Sequence, residues 1–181
     1  MIKKWETVSS KDGGDFKIFK AQWLKRRHPD WNKEGDFVVL NSLPWVNIIP
    51  LTQGNNVLLI EQYRHGTDNI TLEVPGGLVE LNEDPGSAGE RECLEETGYA
   101  GQGKAEYLGE TLPNPAFLNN ICYSFLWKNC TKIKEQSLDK HEDIRVIEVP
   151  IADVKEYIIS GKINHSLVLD AFFFYFLKFG L

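Results

Sequence analysis

The sequence predicts an α/β layered domain. Short apolar or alternating segments, broken by turn residues, run through most of the chain. One stretch free of strong breakers, after Pro85, interrupts them mid-chain, and two further helical stretches follow at the end. Many strands with one inserted helix and two terminal ones build layers. The chain of 181 residues is 42% hydrophobic and 25% charged. That is enough for a single core and unlike a disordered or collagenous composition.

In chain order, residues 16–24 alternate roughly at period two, as in a half-buried strand. Residues 36–41 form a short apolar strand after the Gly35 turn, and residues 45–51 a second. Residues 56–63 follow the Gly54-Asn55 turn signal and read as a buried strand. Residues 70–74 are another, stopped by Pro75-Gly76-Gly77. The period then changes. Pro85 suits the first turn of a helix, residues 87–97 hold no breaker except Gly89, and Gly98 is a stop, so a helix is predicted over 85–97. Strands follow at 106–110, 121–127 and 145–149. Helices follow at 151–159 and 166–178, parted by Ser160-Gly161. The run 166–181 is the most apolar, but Asp170 and Lys178 interrupt it and it is too short to span a bilayer. A core-facing helix is predicted there.

The formal net charge is -6. Between Gly77 and Tyr99 stand seven acids and one base, Arg91, while the rest of the chain is balanced. Nucleic acid requires a basic face, so neither nucleic acid nor a membrane is the expected partner. Cys93, Cys122 and Cys130 have no metal-binding spacing and leave one thiol unpaired, which fits a reducing compartment. No signal peptide is visible, because residues 1–5 lead straight into polar sequence. The expected location is cytoplasmic.

With Glu92 at zero on a helical wheel, Glu96 falls at about 40° and Glu95 at about 300°. The three are neighbours at i, i+3 and i+4. Like charges so crowded are either solvated, as on many surface helices, or held by a cation. Hard oxygen ligands select Mg²⁺, Mn²⁺ or Ca²⁺. The surroundings favour a cation. Pro75-Gly76-Gly77 lets backbone approach a ligand closely, and Arg91 stands where it can brace the carboxylates or pair with Glu83.

Gly77, five residues, Glu83, seven residues, then Arg91-Glu92-Cys93-Leu94-Glu95-Glu96-Thr97-Gly98-Tyr99 resembles the Nudix box at every fixed position. Cys93 and Tyr99 are less usual at its two apolar positions. The resemblance implies a Nudix α/β/α sandwich and a metal-dependent hydrolase of a nucleoside diphosphate linked to another group. It implies that Glu92, Glu95 and Glu96, with the backbone carbonyl of Gly76, hold Mg²⁺ or Mn²⁺, and that Glu83 and Arg91 orient the loop and helix. The physics agrees. A carboxylate cluster repels a pyrophosphate, whereas metal ions bridge the two and acidify the attacking water. Positioning and charge stabilisation do the rest.

The flanks narrow the resemblance. Ile60-Glu61-Gln62-Tyr63-Arg64 and then Leu72-Glu73-Val74-Pro75-Gly76-Gly77 are similar to the ADP-ribose and nucleoside diphosphate sugar pyrophosphatase branch. Leu112-Pro113-Asn114-Pro115-Ala116-Phe117 stands where that branch has a proline-rich turn. The similarity runs from about Asp36 to the C-terminus. It implies hydrolysis of ADP-ribose, GDP-mannose or a similar compound to nucleoside monophosphate and sugar phosphate, by a homodimer. Residues 1–42 are expected to form a β-rich extension serving dimerisation and the substrate site, and residues 43–181 the Nudix domain.

Arg64 suits a diphosphate, bidentately. Glu73 is expected on the substrate, behind a group that touches it, or in a structural role at its strand end. Glu142, in Glu142-Asp143-Ile144-Arg145-Val146, matches an acidic loop segment of the branch that lies over the metal site. There it would serve as metal ligand or general base. Well-known members carry another glutamate two residues earlier; this chain has Lys140. Trp31 on a loop and Trp45 at a strand start are the candidates for stacking on the nucleobase, a contact worth about 1–3 kcal/mol. Core or dimer packing is the competing role for each. Two alternatives stand beside this reading. A nucleoside triphosphate pyrophosphatase is disfavoured by Gln62-Tyr63-Arg64 and the extension. A non-catalytic nucleotide-sensing Nudix domain is disfavoured by the intact box.

Overall fold

The computed structural model describes residues 1–180. They form two compact units: Met1–Leu43 with Leu112–Ile121, and Pro44–Thr111 with the chain from Cys122 onward.

The first unit is an antiparallel meander of β1 (Glu6–Asp15), β2 (Lys20–Arg27) and β3 (Glu34–Asn41). The strand expected over 16–24 begins later than its alternation suggests. The Asp15 side chain accepts the Lys17 amide at 2.9 Å, Lys17 takes a φ of 69°, and the Phe16 amide donates to the Phe19 carbonyl. Residues 16–19 are therefore the hairpin turn, because local Asx chemistry outranks apolar spacing. β1 has no sequence periodicity at all. It is polar and almost wholly exposed, and backbone pairing with β2 forms it. Residues 112–121 join this unit along the edge of β3: the Leu40 amide donates to the Phe117 carbonyl at 2.7 Å, and the Asn119 amide to the Leu40 carbonyl at 3.3 Å.

The second unit contains β4 (Trp45–Thr52), β5 (Asn56–Arg64), β6 (Asn69–Glu73), β7 (Gly76–Leu78), α1 (Pro85–Thr97), β8 (Tyr99–Ala100), β9 (Glu106–Thr111), β10 (Cys122–Lys132), β11 (Ile144–Pro150), a 3-10 turn at Ile151–Asp153, α2 (Val154–Ile159) and α3 (Ser166–Phe179). The eight strands share one sheet in the order β11-β5-β4-β10-β8, with β6 on β5, β7 on β4 and β9 on β10. β4 and β10 run parallel. Side-chain alternation sorts the core into two layers. Val46, Ile48, Leu58, Phe125 and Trp127 cluster with Ala88 and Cys93 of α1. Ile49, Leu51, Val57, Leu59 and Leu126 cluster with Val168, Ala171, Phe172 and Tyr175 of α3. A sheet between helices on both faces is the α/β/α sandwich expected.

α1 occupies the residues its signals predict. Asp84 caps it, accepting the Ser87 amide at 2.9 Å. Gly98 ends it in the left-handed region, at a φ of 77°, and donates to the Leu94 carbonyl at 3.0 Å. The helix predicted over 151–159 starts with the 3-10 turn, and β10 runs past 127 through an irregularity between Trp127 and Cys130.

The architecture opens a wedge where the site lies. β4 and β5 pair only at Leu51 and Val57 and then part. The chain from β6 to β7 fills the gap: β6 pairs with β5, β7 pairs with β4, and the Ile48 amide donates to the Pro75 carbonyl at 2.9 Å. Pro75-Gly76-Gly77 is thus not simply a stop, since Gly76–Leu78 resumes as a short strand. α1 packs on β4 and β7. No helix among the described residues is long and apolar enough to cross a membrane.

Candidate functional site

Acidic side chains converge at this wedge from α1 and from the loop before β11, and Arg91 organises the first set. Its Nε and Nη2 reach the two carboxylate oxygens of Glu83 at 2.9 and 3.1 Å, and Nη2 also reaches the Leu78 carbonyl at 3.0 Å. Nη1 donates to Glu92 at 2.8 Å and to Glu95 at 3.2 Å. All five N–H donors of the guanidinium are therefore used. Arg91 both pairs with Glu83 and braces the carboxylates, the two roles its position suggested.

Glu96 is 4% exposed, and its Oε2 accepts the Gly76 amide at 2.9 Å. Burial pushes its carboxyl up to about 9; the Gly76 amide opposes this, and the charges of Glu92 and Glu142 add to it. Burial also raises Glu92, against the pull of Arg91, with Glu95 and Glu142 again adding. Glu142 thus acts electrostatically on both glutamates from the loop before β11.

That loop is docked on the end of α1, where helix carbonyls need donors. The Ile133 and Lys134 amides donate to the Gly98 carbonyl, and the Ser137 amide to the Glu95 carbonyl at 2.8 Å. Gln136 Nε2 bridges the Glu96 carbonyl at 2.6 Å and the Ile144 carbonyl at 3.1 Å. Glu142 closes its own turn: Oε2 accepts the Asp139 amide at 2.9 Å.

The glycines before the box are required by close approach. A Cβ on Gly77 would run into the Glu92 carboxylate, and one on Gly76 into the Val46 carbonyl and the Asn47 side chain.

At the end of β5, Arg64 grips Glu73 in a fork, Nε to Oε1 and Nη2 to Oε2, both at 2.8 Å. Glu73 is 3% exposed and also accepts the Thr71 hydroxyl on Oε1 at 2.6 Å. Burial alone would raise Glu73, but Arg64 and Thr71 outweigh it and hold the carboxyl below its ordinary value. The Glu73 bond raises Arg64 against burial, and the charges of Glu96 and Glu142 contribute, so the guanidinium is within reach of the acid cluster's field. His165, at the head of α3, adds to the field on Glu73; its Nδ1 is buried with no partner among the described residues.

The structure therefore brings together Arg64, Glu73, Gly76, Glu92, Glu96 and Glu142. Glu95 sits on the more exposed flank, under Arg91. Trp45 opens β4 opposite Leu78 and Cys122. Trp31 belongs to the other unit, on the loop between β2 and β3, 62% exposed and stacked on His28 at 3.8 Å. Thr71, Gln136 and His165 were absent from the sequence reading. Thr71 had a signal, since residues two apart on a strand share a face. Gln136 had none, because its loop has no period.

No three acidic, histidine or cysteine side chains among the described residues are grouped to hold a metal ion as they stand. The donor set still fits a hard divalent cation. A buried Glu96 crowded by the charges of Glu92 and Glu142 is a concentration of oxygen donors short of positive charge.

Residues 43–169 match the family model of the NUDIX domain. The chain belongs to the Nudix family. A methanol dehydrogenase activator from Bacillus methanolicus is 31% identical over 127 residues, covering 70% of this chain and 68% of the relative. An ADP-ribose pyrophosphatase from Bacillus subtilis is 27% identical over 119 residues, 65% of this chain and 64% of the relative. A GDP-mannose pyrophosphatase from Yersinia pestis is 31% identical over 120 residues, 62% and 60% respectively. The chain spans less than two thirds of the length of these last two relatives. A crystal structure of an ADP compounds hydrolase superposes with a TM-score of 0.86, covering 99% of this chain and 98% of that one at 16% identity, a likeness of fold.

Proposed function

We propose that this Nudix hydrolase cleaves the pyrophosphate bond of nucleoside diphosphate sugars, ADP-ribose, GDP-mannose or a similar compound, to nucleoside monophosphate and sugar phosphate. The observation that carries the reading is the clustering of the box glutamates about Arg91 and the Gly76 amide at one wedge of the sheet, with the charges of Glu142 and Arg64 acting on the same site. The pyrophosphatase relatives support the reaction class. Glu92, Glu95, Glu96 and the Gly76 carbonyl would hold Mg²⁺ or Mn²⁺, whose bound chemistry is neutralisation of phosphoryl charge and acidification of water. Arg91 ties Glu92 and Glu95 to one guanidinium nitrogen, Nη1, and so fixes both on the helix. Arg64 donates from Nη1, the nitrogen Glu73 leaves free, to the diphosphate. Glu142 Oε1, which has no partner among the described residues, accepts the proton of the attacking water. Trp31 and Trp45 are the assigned partners of the nucleobase, and the N-terminal unit the site of dimerisation. The three cysteines, all buried and free, fit a reducing cytoplasm.

The test is phosphate release with Mg²⁺ from ADP-ribose, GDP-mannose, UDP-glucose, ATP and dGTP. An added phosphatase attacks the monoester products, with controls lacking the Nudix protein. Turnover of the diphosphate sugars is expected, and its loss in the double variant Glu92→Gln, Glu96→Gln. Turnover of triphosphates alone would replace this proposal with a triphosphate pyrophosphatase. Metal binding without any turnover would favour a nucleotide sensor. Full activity in the double variant would overturn the assigned metal site.

A further inference from the structure

We propose that Thr71 is a positioning residue: through Glu73 it fixes the Arg64 guanidinium so that Nη1 is presented to the substrate diphosphate. This rests on the reading that Arg64 meets the diphosphate. An arginine at a strand end carries about 2 kcal/mol of rotamer entropy, and Arg64 has a second reason to wander. The charges of Glu96 and Glu142 act on it, so a guanidinium released from Glu73 would be drawn toward the acid cluster.

The strand register prevents this. Ile60 lies opposite Glu73, Gln62 opposite Thr71 and Arg64 opposite Asn69, so all six residues share one face of the β5–β6 pair. Arg64 reaches back along that face to Glu73, and its two parallel bonds of 2.8 Å define both position and plane. Nε and Nη2 are consumed; Nη1 has no acceptor among the described residues.

A carboxylate can hold this fork only if it is itself held. Glu73 is buried, and the one other donor to it among the described residues is Thr71, at 2.6 Å on the oxygen that also takes Arg64 Nε. The hydroxyl has a second acceptor in range, the Gln62 carbonyl at 3.4 Å. It carries one hydrogen, and the nearer, charged oxygen takes it. The paired Arg64 and Glu73 are close to neutral together, so Arg64 recognises the diphosphate by direction more than by net charge.

The experiment compares full-length Thr71→Val, which keeps the shape and loses the hydroxyl, with Thr71→Ser, which keeps the hydroxyl. The first readout is KM and kcat on ADP-ribose and GDP-mannose with Mg²⁺. The second, in substrate-free protein, is exchange of the Arg64 Nε–H proton by ¹⁵N NMR, assigned by its loss in Arg64→Lys. Thr71→Val is expected to raise KM roughly tenfold and to speed exchange by a similar factor, the scale of one lost bond to a buried charge. Its kcat stays within about twofold, because the contact is made in ground and transition states alike. Thr71→Ser behaves as wild type. Wild-type KM and exchange in Thr71→Val would overturn the proposal. So would a kcat loss at constant KM, or equal impairment by serine. If Thr71→Val does not fold, Thr71→Ala takes its place with the same expected shifts and the same refuting results. If the wild-type protein turns over no nucleotide sugar, the functional reading has failed, and the exchange rates alone decide whether the strut exists.

Discussion

Gly76 and Gly77 are adjacent, but replacing each with alanine should damage different things. At Gly77 the added Cβ meets the carboxylate of Glu92, the far end of a flexible side chain, and the backbone there is not left-handed. Glu92 can swing away, losing its 2.8 Å bond to Arg91. That loss, between charged groups, costs about 1.5–3 kcal/mol, and stiffening the unfolded chain returns about 0.4–1 kcal/mol. The Gly77→Ala protein should therefore be destabilised by only about 1–2 kcal/mol. A catalytic carboxylate displaced by about an ångström costs on the order of 100-fold in turnover. At Gly76 the Cβ meets the Val46 carbonyl, which cannot rotate out of the way without opening the β4–β7 pairing and the Gly76–Glu96 bond. Overpacking plus a lost bond puts Gly76→Ala at about 3 kcal/mol. For a chain of this size, that lowers the melting temperature by on the order of 10 °C. Urea and thermal denaturation by circular dichroism, beside turnover of the best substrate, separate the two. Wild-type turnover in Gly77→Ala, or equal destabilisation by both substitutions, would refute the argument.

Gly98→Ala combines a left-handed cap with a clash against the Lys134 carbonyl, so it should destabilise by about 2–4 kcal/mol in urea titration. Asp84→Ala removes the cap on the Ser87 amide and should cost about 1 kcal/mol by the same measurement. Glu73 titrates below its ordinary value in the folded protein, so its pairing stabilises above the ordinary carboxylate range and is lost as pH falls through the folded value. The stability gap between wild type and Arg64→Met should accordingly be open at neutral pH and close in acid, as read from urea midpoints across that range. Mg²⁺ should raise the melting temperature with the logarithm of its concentration, about 2.7 kcal/mol at a hundred times its Kd. Calorimetry should show this binding weakened in Glu96→Gln.

Helix α1 and its acidic face were legible because their determinants are local. Pro85, the run to Thr97 and Gly98 are punctuation within one element, and the i, i+3, i+4 spacing of Glu92, Glu95 and Glu96 follows from helical period alone. Buried strands such as β4 and β5 were legible because their apolar runs need no partner to be noticed. β1 was not, since its residues are polar and only the register with β2 makes it a strand. Phe16 and Ile18 misled for the opposite reason: their spacing fits a strand, but the Asp15–Lys17 hydrogen bond makes a turn.

The sequence by itself therefore determined the layered class, the box helix and the side chains available for chemistry, because these depend on neighbours within a dozen residues. Tertiary structure decided which of those side chains are already spoken for. Glu73 is bound to Arg64 rather than standing alone, and Gln136 ties the Glu142 loop to the helix end. The Gly76 amide rather than a side chain meets Glu96. Each of these contacts joins residues from different elements. Their meeting depends on how β4 and β5 part, on what fills the gap and on how the loop before β11 docks on α1, none of which a local pattern encodes.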